Sequence, residues 1–323
     1  MRGVKLARAG DLDPSMFESL RDRDREPMPP EADCLWVEDE NGIGACAALG
    51  VARDPRGEPS DTSWLGYYAA RDADSGAAVL REAVRLAGER GRSRVLGPLN
   101  ESTWRRYRVA LASAPEDPLP NPPFFPGEPR NPLTYEGHFA EAGYGVAARY
   151  ESRLVSLDPG APPRSLPVPA DIRVRALDAS RFPSEMERIF DLSLAAFADN
   201  AFYSPIGREG FFALYEPIRP ILDPDLVLLA ERPDGALAGY LFSYPDPTSK
   251  ARRVIAKTMA VDPSARGLGL GTYLLAEIGV RAAARGYGEV MHALMHVTNR
   301  SQRMSARLGA ALYRRYALYE HRT

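Results

Sequence analysis

The sequence predicts an α/β protein made of two tandem copies of one fold, each a mixed, mostly antiparallel sheet flanked by helices. Three observations predict it. The same order of strand, helix, hairpin, strand, helix and strand occurs twice, before and after a proline-rich stretch. Asn41-Gly42 and Asp234-Gly235 each divide two apolar runs as hairpin turns do, which makes those neighbours antiparallel. Matched residues also recur at constant spacing. Gly76, Leu80, Arg90-Gly91 and Val95 return as Gly271, Leu275, Arg285-Gly286 and Val290, each 195 positions on (271 − 76).

In the first copy the expected elements are a strand at Val4–Ala9, a helix after Asp13-Pro14, a hairpin of Cys34–Glu38 with Ile43–Val51, a strand at Ser63–Ala69, a helix at Gly76–Arg90 and a strand at Arg94–Leu96. A proline-rich excursion follows at Ala114 to Pro132, then a helix-like piece from Tyr135 to Gly143. Trp104, Phe124, Phe125 and Phe139 in and around it suit core and interdomain packing; a wall over a site in the second half is the other reading. The second copy runs as a strand at Ile172–Ala176, helices at Pro183–Phe197 and Glu209–Leu222, a hairpin of Leu226–Glu231 with Ala236–Tyr244, a strand at Arg253–Val261, a helix from Tyr273 to Arg285 and a strand at Glu289–Val297. Prolines at 159, 162, 163, 167 and 169 suit neither a helix nor a central strand. The division is therefore residues 1–157, a connector at 158–170, and residues 171–323.

A chain of 323 residues is long for one domain, and 45% hydrophobic with 26% charged residues describes a soluble globular protein. A net charge of −2 gives no electrostatic case for nucleic acid or an anionic membrane. With no long apolar run and no signal-like start at Met1-Arg-Gly-Val-Lys, the expectation is a cytoplasmic protein without a membrane partner. Cys34 and Cys46 flank the Asn41-Gly42 turn. A two-residue loop would set Cys46 opposite Val37 and Cys34 opposite Leu49, offset, so no disulfide is expected. Four histidines without ligand spacing give no metal site.

The most informative stretch follows the strand ending at Val261: Asp262-Pro-Ser-Ala-Arg266-Gly267-Leu268-Gly269-Leu-Gly271-Thr272, and then a helix. Glycines between a strand and a helix expose free backbone amides at the positive end of a helix dipole, a setting that suits a phosphate. A Walker loop needs lysine after its last glycine, and Thr272 stands there. A dinucleotide fingerprint begun at Gly267 or Gly269 would need its last glycine at Thr272 or Leu274. The remaining pattern is Arg-x-x-Gly-x-Gly, filled by Arg266, Gly269 and Gly271.

On those residues the stretch resembles the coenzyme A-binding motif of the GNAT acyltransferase superfamily, and the chain resembles tandem GNAT proteins along nearly its whole length. The resemblance implies that the amides of Arg266 to Thr272 hold the pyrophosphate of acetyl-CoA or another acyl-CoA, and that Met259 and Val261 hold the pantetheine arm through their backbone. It implies that Asn299 touches the same arm. Arg300, Arg303 and Arg307 share a helix face that either meets the 3′-phosphate or is simply solvated. The implied reaction is direct transfer of an acetyl or other short acyl group to an amine of a small-molecule acceptor, by a monomer or homodimer, without a metal. The alternatives are a non-catalytic acyl-CoA-binding module and a protein-lysine acetyltransferase.

The repeat also breaks at this motif. Ala70 and Asp72 match Ala260 and Asp262 at a spacing of 190, so the first copy is five residues shorter before Gly76. The deletion removes the Arg-x-x-Gly part, and the first copy is expected to be degenerate. The family's usual acid, a tyrosine, is Ser305 here, and its frequent glutamate base is Ile255. His292 and His296, two candidates for the base, are expected on one face of their strand, with His296 nearer the loop. The acceptor is expected against Asp199, Tyr203 and Tyr215, where Asp199 would hold a cationic amine or cap a helix.

Overall fold

The computed structural model describes residues 3–21, 26–158 and 165–323. Residues 1–2, residues 22–25 and the middle of the 158–170 connector lie outside them. In chain order the strands and helices are β1 (Val4–Arg8), β2 (Asp33–Asp39), β3 (Gly42–Arg53), β4 (Pro59–Ala70), α1 (Ala73–Glu89), β5 (Arg94–Gly97), β6 (Val109–Ala110), α2 (Tyr135–Glu141) and β7 (Gly145–Ser156). The second half adds β8 (Arg173–Ala176), α3 (Phe182–Phe197), α4 (Arg208–Tyr215), β9 (Leu228–Glu231), β10 (Leu237–Asp246), β11 (Arg253–Val261), α5 (Leu270–Ala284), β12 (Glu289–His296), α6 (Arg300–Arg307) and β13 (Ala311–Arg322).

The two copies share one sheet, ordered β1-β2-β3-β4-β5-β13-β7-β12-β11-β10-β9-β8, with the short β6 also on β13. All neighbouring pairs are antiparallel except β4 with β5 and β11 with β12. At the centre the copies exchange their last strands. β7, from the first half, pairs with β12 of the second. β13, from the second half, inserts between β7 and β5. Both exchanged strands are 12 residues long, and the sequence reading names neither.

Each half has its own core. α1 and α2 cover one face of β2–β5 with Val79, Leu80, Ala83 and Phe139. In the second half α3 and α4 pack Met186, Ile189 and Phe211 on one face, and α5 packs Leu274, Leu275 and Ile278 on the other. The proline-rich excursion is packing, as its aromatics suggest: Phe125 is 1% exposed inside the α3–α4 core, and Glu128 forms a buried ion pair with Arg314 of β13, Oε1 to Nε 2.6 Å.

Several expected boundaries shift for local reasons. The helix over Glu209–Leu222 ends at Tyr215, because Pro217 and Pro220 turn the continuation into a 3-10 segment. Of the helix expected after Asp13-Pro14, the described residues carry a 3-10 turn at Pro14–Phe17. The first hairpin turns one residue earlier than expected, because a register shift at Val37/Glu38 makes Glu38 face Ile43 and Asp39 face Gly42. Cys34 therefore faces Ala48 and Cys46 faces Trp36; both are buried in the core and neither is in a disulfide.

Candidate acyl-CoA site

The candidate site lies where β11 and β12 part. They pair in parallel only from Arg253 with Glu289 to Ala256 with His292, and beyond that point each runs on without the other. A bulge on each strand accompanies the parting. On β11 the shift opposite Phe242/Ser243 leaves Lys257 as the extra residue. On β12 the shift between His292 and Met295 contains Leu294, whose φ is +57°. The bulge on β4 at Tyr67, φ +54°, lies 190 positions before Lys257, so the first copy carries the same device.

The loop after β11 is shaped by its own residues. Asp262 accepts from the Ser264 amide at 2.9 Å and from Arg232 at 2.9 Å, fixing the turn Pro263–Ala265. Gly267 and Gly269 are left-handed, at φ +92° and +81°, a conformation that residues with a Cβ rarely adopt. A Cβ built on either meets nothing within 4 Å, so the space above them is open. Among the described residues, no hydrogen bond reaches the amides of Gly267, Leu268 or Gly269. The helix α5 starts at Leu270, three residues earlier than expected, and has no side-chain cap. Its unpaired first amides thus abut the glycines, and the arrangement fits a pyrophosphate.

The other expected loop residues divide by role. Gly271 is a packing residue: its Cβ would meet the Met304 sulfur of α6 at 3.2 Å. Thr272 lies half-buried in the first turn of α5. Arg266 reaches back to α3, donating to the Ala196 carbonyl at 3.0 Å and standing 3.6 Å from Asp199. Asp199 follows the end of α3 and caps no helix start; its side chain is 84% exposed. Met259 and Val261 face Leu241 and Gly239 across β10, and their other backbone edge looks into the gap. Asn299 precedes α6, exposed and without a cap hydrogen bond, and Arg300, Arg303 and Arg307 are exposed on that helix.

His292 and His296 do not share a face, because the bulge between them reverses the alternation. His292 is buried, with Nδ1 2.8 Å from the Ser305 Oγ, and burial pulls its pKa down to about 4. Ser305, on the inner face of α6, is itself fully buried. His296 lies on the opposite face, half-buried, its ring 5.0 Å from that of Tyr150 on β7. Burial, and then the charge of Arg108, lower its pKa. Its Nδ1 accepts from the Thr298 amide at 3.2 Å and lies 2.8 Å from the Thr298 hydroxyl. An amide can only donate, so the neutral ring carries its proton on Nε2.

Tyr215 and Tyr203 are buried, and burial raises both hydroxyls, Tyr215 to about 12. Tyr203 packs against Trp104 from the first half, whose Nε1 donates to the Ser204 carbonyl at 2.8 Å. Beside Tyr215 stands a residue that the sequence reading passes over. Lys257 puts its ammonium 5.7 Å from the Tyr215 ring centre, half-buried, with its pKa lowered by burial. No acidic side chain forms an ion pair with it among the described residues. A lysine within Val254-Ile-Ala-Lys-Thr-Met-Ala-Val261 was a visible signal: a charge in an otherwise apolar strand.

A family model described as the acetyltransferase (GNAT) family matches residues 188–310. That segment runs from α3 through the glycine loop to the end of α6. The second half of the chain carries a GNAT domain. Among solved structures, a GCN5-related N-acetyltransferase from Sphaerobacter thermophilus aligns at TM-score 0.56 and 16% identity, over 99% of this chain and 95% of that one. A tandem GNAT protein from the clavulanic acid biosynthesis pathway aligns at TM-score 0.55 and 15% identity, over 99% and 98%. A GCN5-related N-acetyltransferase from Anabaena variabilis aligns at TM-score 0.55 and 11% identity, over 98% and 72%. At these identities the likeness is one of fold, and it spans both halves: a tandem GNAT architecture. No curated protein matches by sequence.

The first half treats the same two places differently. Asp72 caps α1, accepting from the Ser75 amide at 2.8 Å and from its hydroxyl at 3.0 Å. Where β4 and β5 part after Trp64 and Leu96, the chain's own backbone fills the gap. Leu99 donates to the Leu65 carbonyl at 2.7 Å, and the Asn100 side chain accepts from the Tyr67 amide at 2.7 Å. Among the described residues no group of three His, Cys, Asp or Glu could hold a metal, and no helix is long and apolar enough to cross a membrane.

Proposed function

We propose that this protein is a CoA-dependent N-acyltransferase that moves an acetyl or other short acyl group from acyl-CoA to an amine of a small-molecule acceptor. The observation that carries the reading is the uncapped start of α5 behind left-handed Gly267 and Gly269, beside the gap between β11 and β12. Backbone amides from 267 to 272 would hold the pyrophosphate, the free edge of Met259 and Val261 the pantetheine arm, and Asn299 the same arm from α6. The first half, capped by Asp72 and closed by Leu99 and Asn100, would hold no coenzyme and would serve as scaffold.

In the transfer, the neutral amine attacks the thioester carbonyl, the carbon–sulfur bond breaks, the amine loses a proton and the thiolate gains one. His292 and Ser305 are too deeply buried to touch the reacting atoms. His296, with its proton on Nε2, is arranged as a hydrogen-bond donor, so proton removal would fall to water. The α3–α4 face, with Tyr203 and Tyr215, would wall the acceptor.

Calorimetry with acetyl-CoA, and thiol release with a panel of amines, test this. The expected result is one coenzyme bound per chain, lost in Gly269→Val, and turnover with at least one amine. Coenzyme binding that survives Gly269→Val would remove the basis of the reading.

A further inference from the structure

A cavity of about 220 Å³ opens in the first half, between β4, the 98–109 loop and the residues leading into α2. Four arginines line it: Arg21, Arg106, Arg108 and Arg130. None of its described lining residues is acidic. The carboxylate of nearby Glu26 is taken by Asn100 at 2.8 Å and Arg105 at 2.5 Å. Arg106 and Arg130 are exposed at the mouth, Arg21 is half-buried, and Arg108 lies deepest at 7% exposure.

Arg108 is the unusual member. Its backbone is left-handed at φ +72°, a costly conformation for a residue with a Cβ. Its guanidinium lies 3.7 Å from the Tyr107 ring centre and 4.1 Å from that of Tyr150, and one nitrogen donates to the Leu294 carbonyl at 3.0 Å. Among the described residues no carboxylate pairs with it, and its Nε is buried without a hydrogen-bond partner. A desolvated charge is costly without a counter-charge, and ring stacking returns only part of that. An oxyanion in the cavity supplies the missing counter-charge beside the planar guanidinium.

We propose that this cavity is a binding site for a small oxyanion, a phosphate group or a short di- or tricarboxylate, held by Arg108 at its floor and drawn in by Arg130 at its mouth. Its lining shares no residue with the glycine loop, while Arg108 at its floor touches the Leu294 carbonyl of the β12 bulge. The cavity is smaller than the ~300–1,000 Å³ of ordinary cofactor pockets, and the parting of β4 and β5 beside it is already filled by Leu99 and Asn100.

Calorimetry on the full chain in an uncharged buffer, with inorganic phosphate and with citrate, tests the proposal. At least one probe should bind with a Kd below about 1 mM. Arg108→Gln should weaken it at least about tenfold, and Arg130→Glu, an exposed change that leaves the core alone, by roughly three- to tenfold. Gly269→Val should leave it unchanged, and saturating acetyl-CoA should not compete. Three results would each overturn the proposal: no heat from either anion up to about 10 mM, equal affinity in wild type and Arg130→Glu, or competition by acetyl-CoA. Loss of coenzyme binding with anion binding retained would instead count against the acyltransferase reading alone.

Discussion

The Asp72 carboxylate accepts from the Ser75 amide at 2.8 Å, and so fills the head of α1, where in the second half Gly269 leads into α5 with no cap at all. The two helices are equivalent by the repeat, and Asp72 itself is matched by Asp262. The first half has five residues fewer here, and its aspartate caps the helix start instead of the turn before the loop. A carboxylate of the chain now occupies the space that an uncapped helix offers to a phosphate.

This makes Asp72→Ala informative. Losing an N-cap should cost about 1 kcal/mol of stability, read as a lower denaturation midpoint at unchanged slope. No coenzyme binding should appear in the first half, because Leu99 and Asn100 still close the gap between β4 and β5. Coenzyme heat from Asp72→Ala in a Gly269→Val background would show that the cap alone keeps the first half empty.

On the proposed acyltransferase reading, Lys257 would line the acceptor side of the site. It emerges at the β11 bulge beside Tyr215 and carries no acidic partner among the described residues. Lys257→Met keeps the length of the stem and removes the amine. Acetyl-CoA affinity should hold within about twofold while kcat/KM for the acceptor falls at least about tenfold, a loss of roughly 1.4 kcal/mol in transition-state binding. An unchanged kcat/KM would take Lys257 out of the site.

The sequence made the glycine loop legible because each of its signals is local: a β-branched strand, left-handed glycines and a helix after them. The repeat was legible for the same reason. What was not legible depends on pairing between distant segments. β7 and β13 carry Arg149, Glu151, Arg153, Arg314, Arg315 and Glu320, and so resemble surface segments, yet they lie at the centre of the sheet. Their charges are tolerated because partners reach them from far along the chain, as Glu128 reaches Arg314 and Gln302 reaches Arg153. The opposite placement of His292 and His296 also turns on one unpaired residue at Leu294, which alternation counting cannot detect.

Glu128 and Arg314 tie the first half's proline-rich excursion to the second half's last strand, both side chains at most 1% exposed. Removing one member leaves the other charge buried alone. Glu128→Ala should therefore destabilise the protein by about 3–5 kcal/mol, read by denaturant unfolding. A mild loss would mean that water enters and solvates Arg314. Because the strands are exchanged, both halves should lose stability together, with tryptophan fluorescence (Trp36, Trp64 and Trp104 are all in the first half) and far-UV circular dichroism giving coincident transitions.

His292 gives the protein an acid-sensitive component with a defined sign. Burial holds its folded pKa at about 4, against about 6.5 for a free imidazole. Above pH 6.5 the ring is neutral whether folded or unfolded, and stability does not change on its account. As the pH falls from 6.5 to 4 the unfolded chain takes up a proton that the folded chain refuses, so stability declines; below 4 both are protonated and the decline stops. A gap of about 2.5 pH units corresponds to about 3 kcal/mol. His138 and His296 are lowered as well and add to the slope in the same direction, so the comparison must be with His292→Asn. The small amide can keep the contact with Ser305 without titrating. Between pH 6.5 and 4 the wild type should lose about 3 kcal/mol more than the variant; parallel stability curves would mean that the imidazole is hydrated in the folded protein.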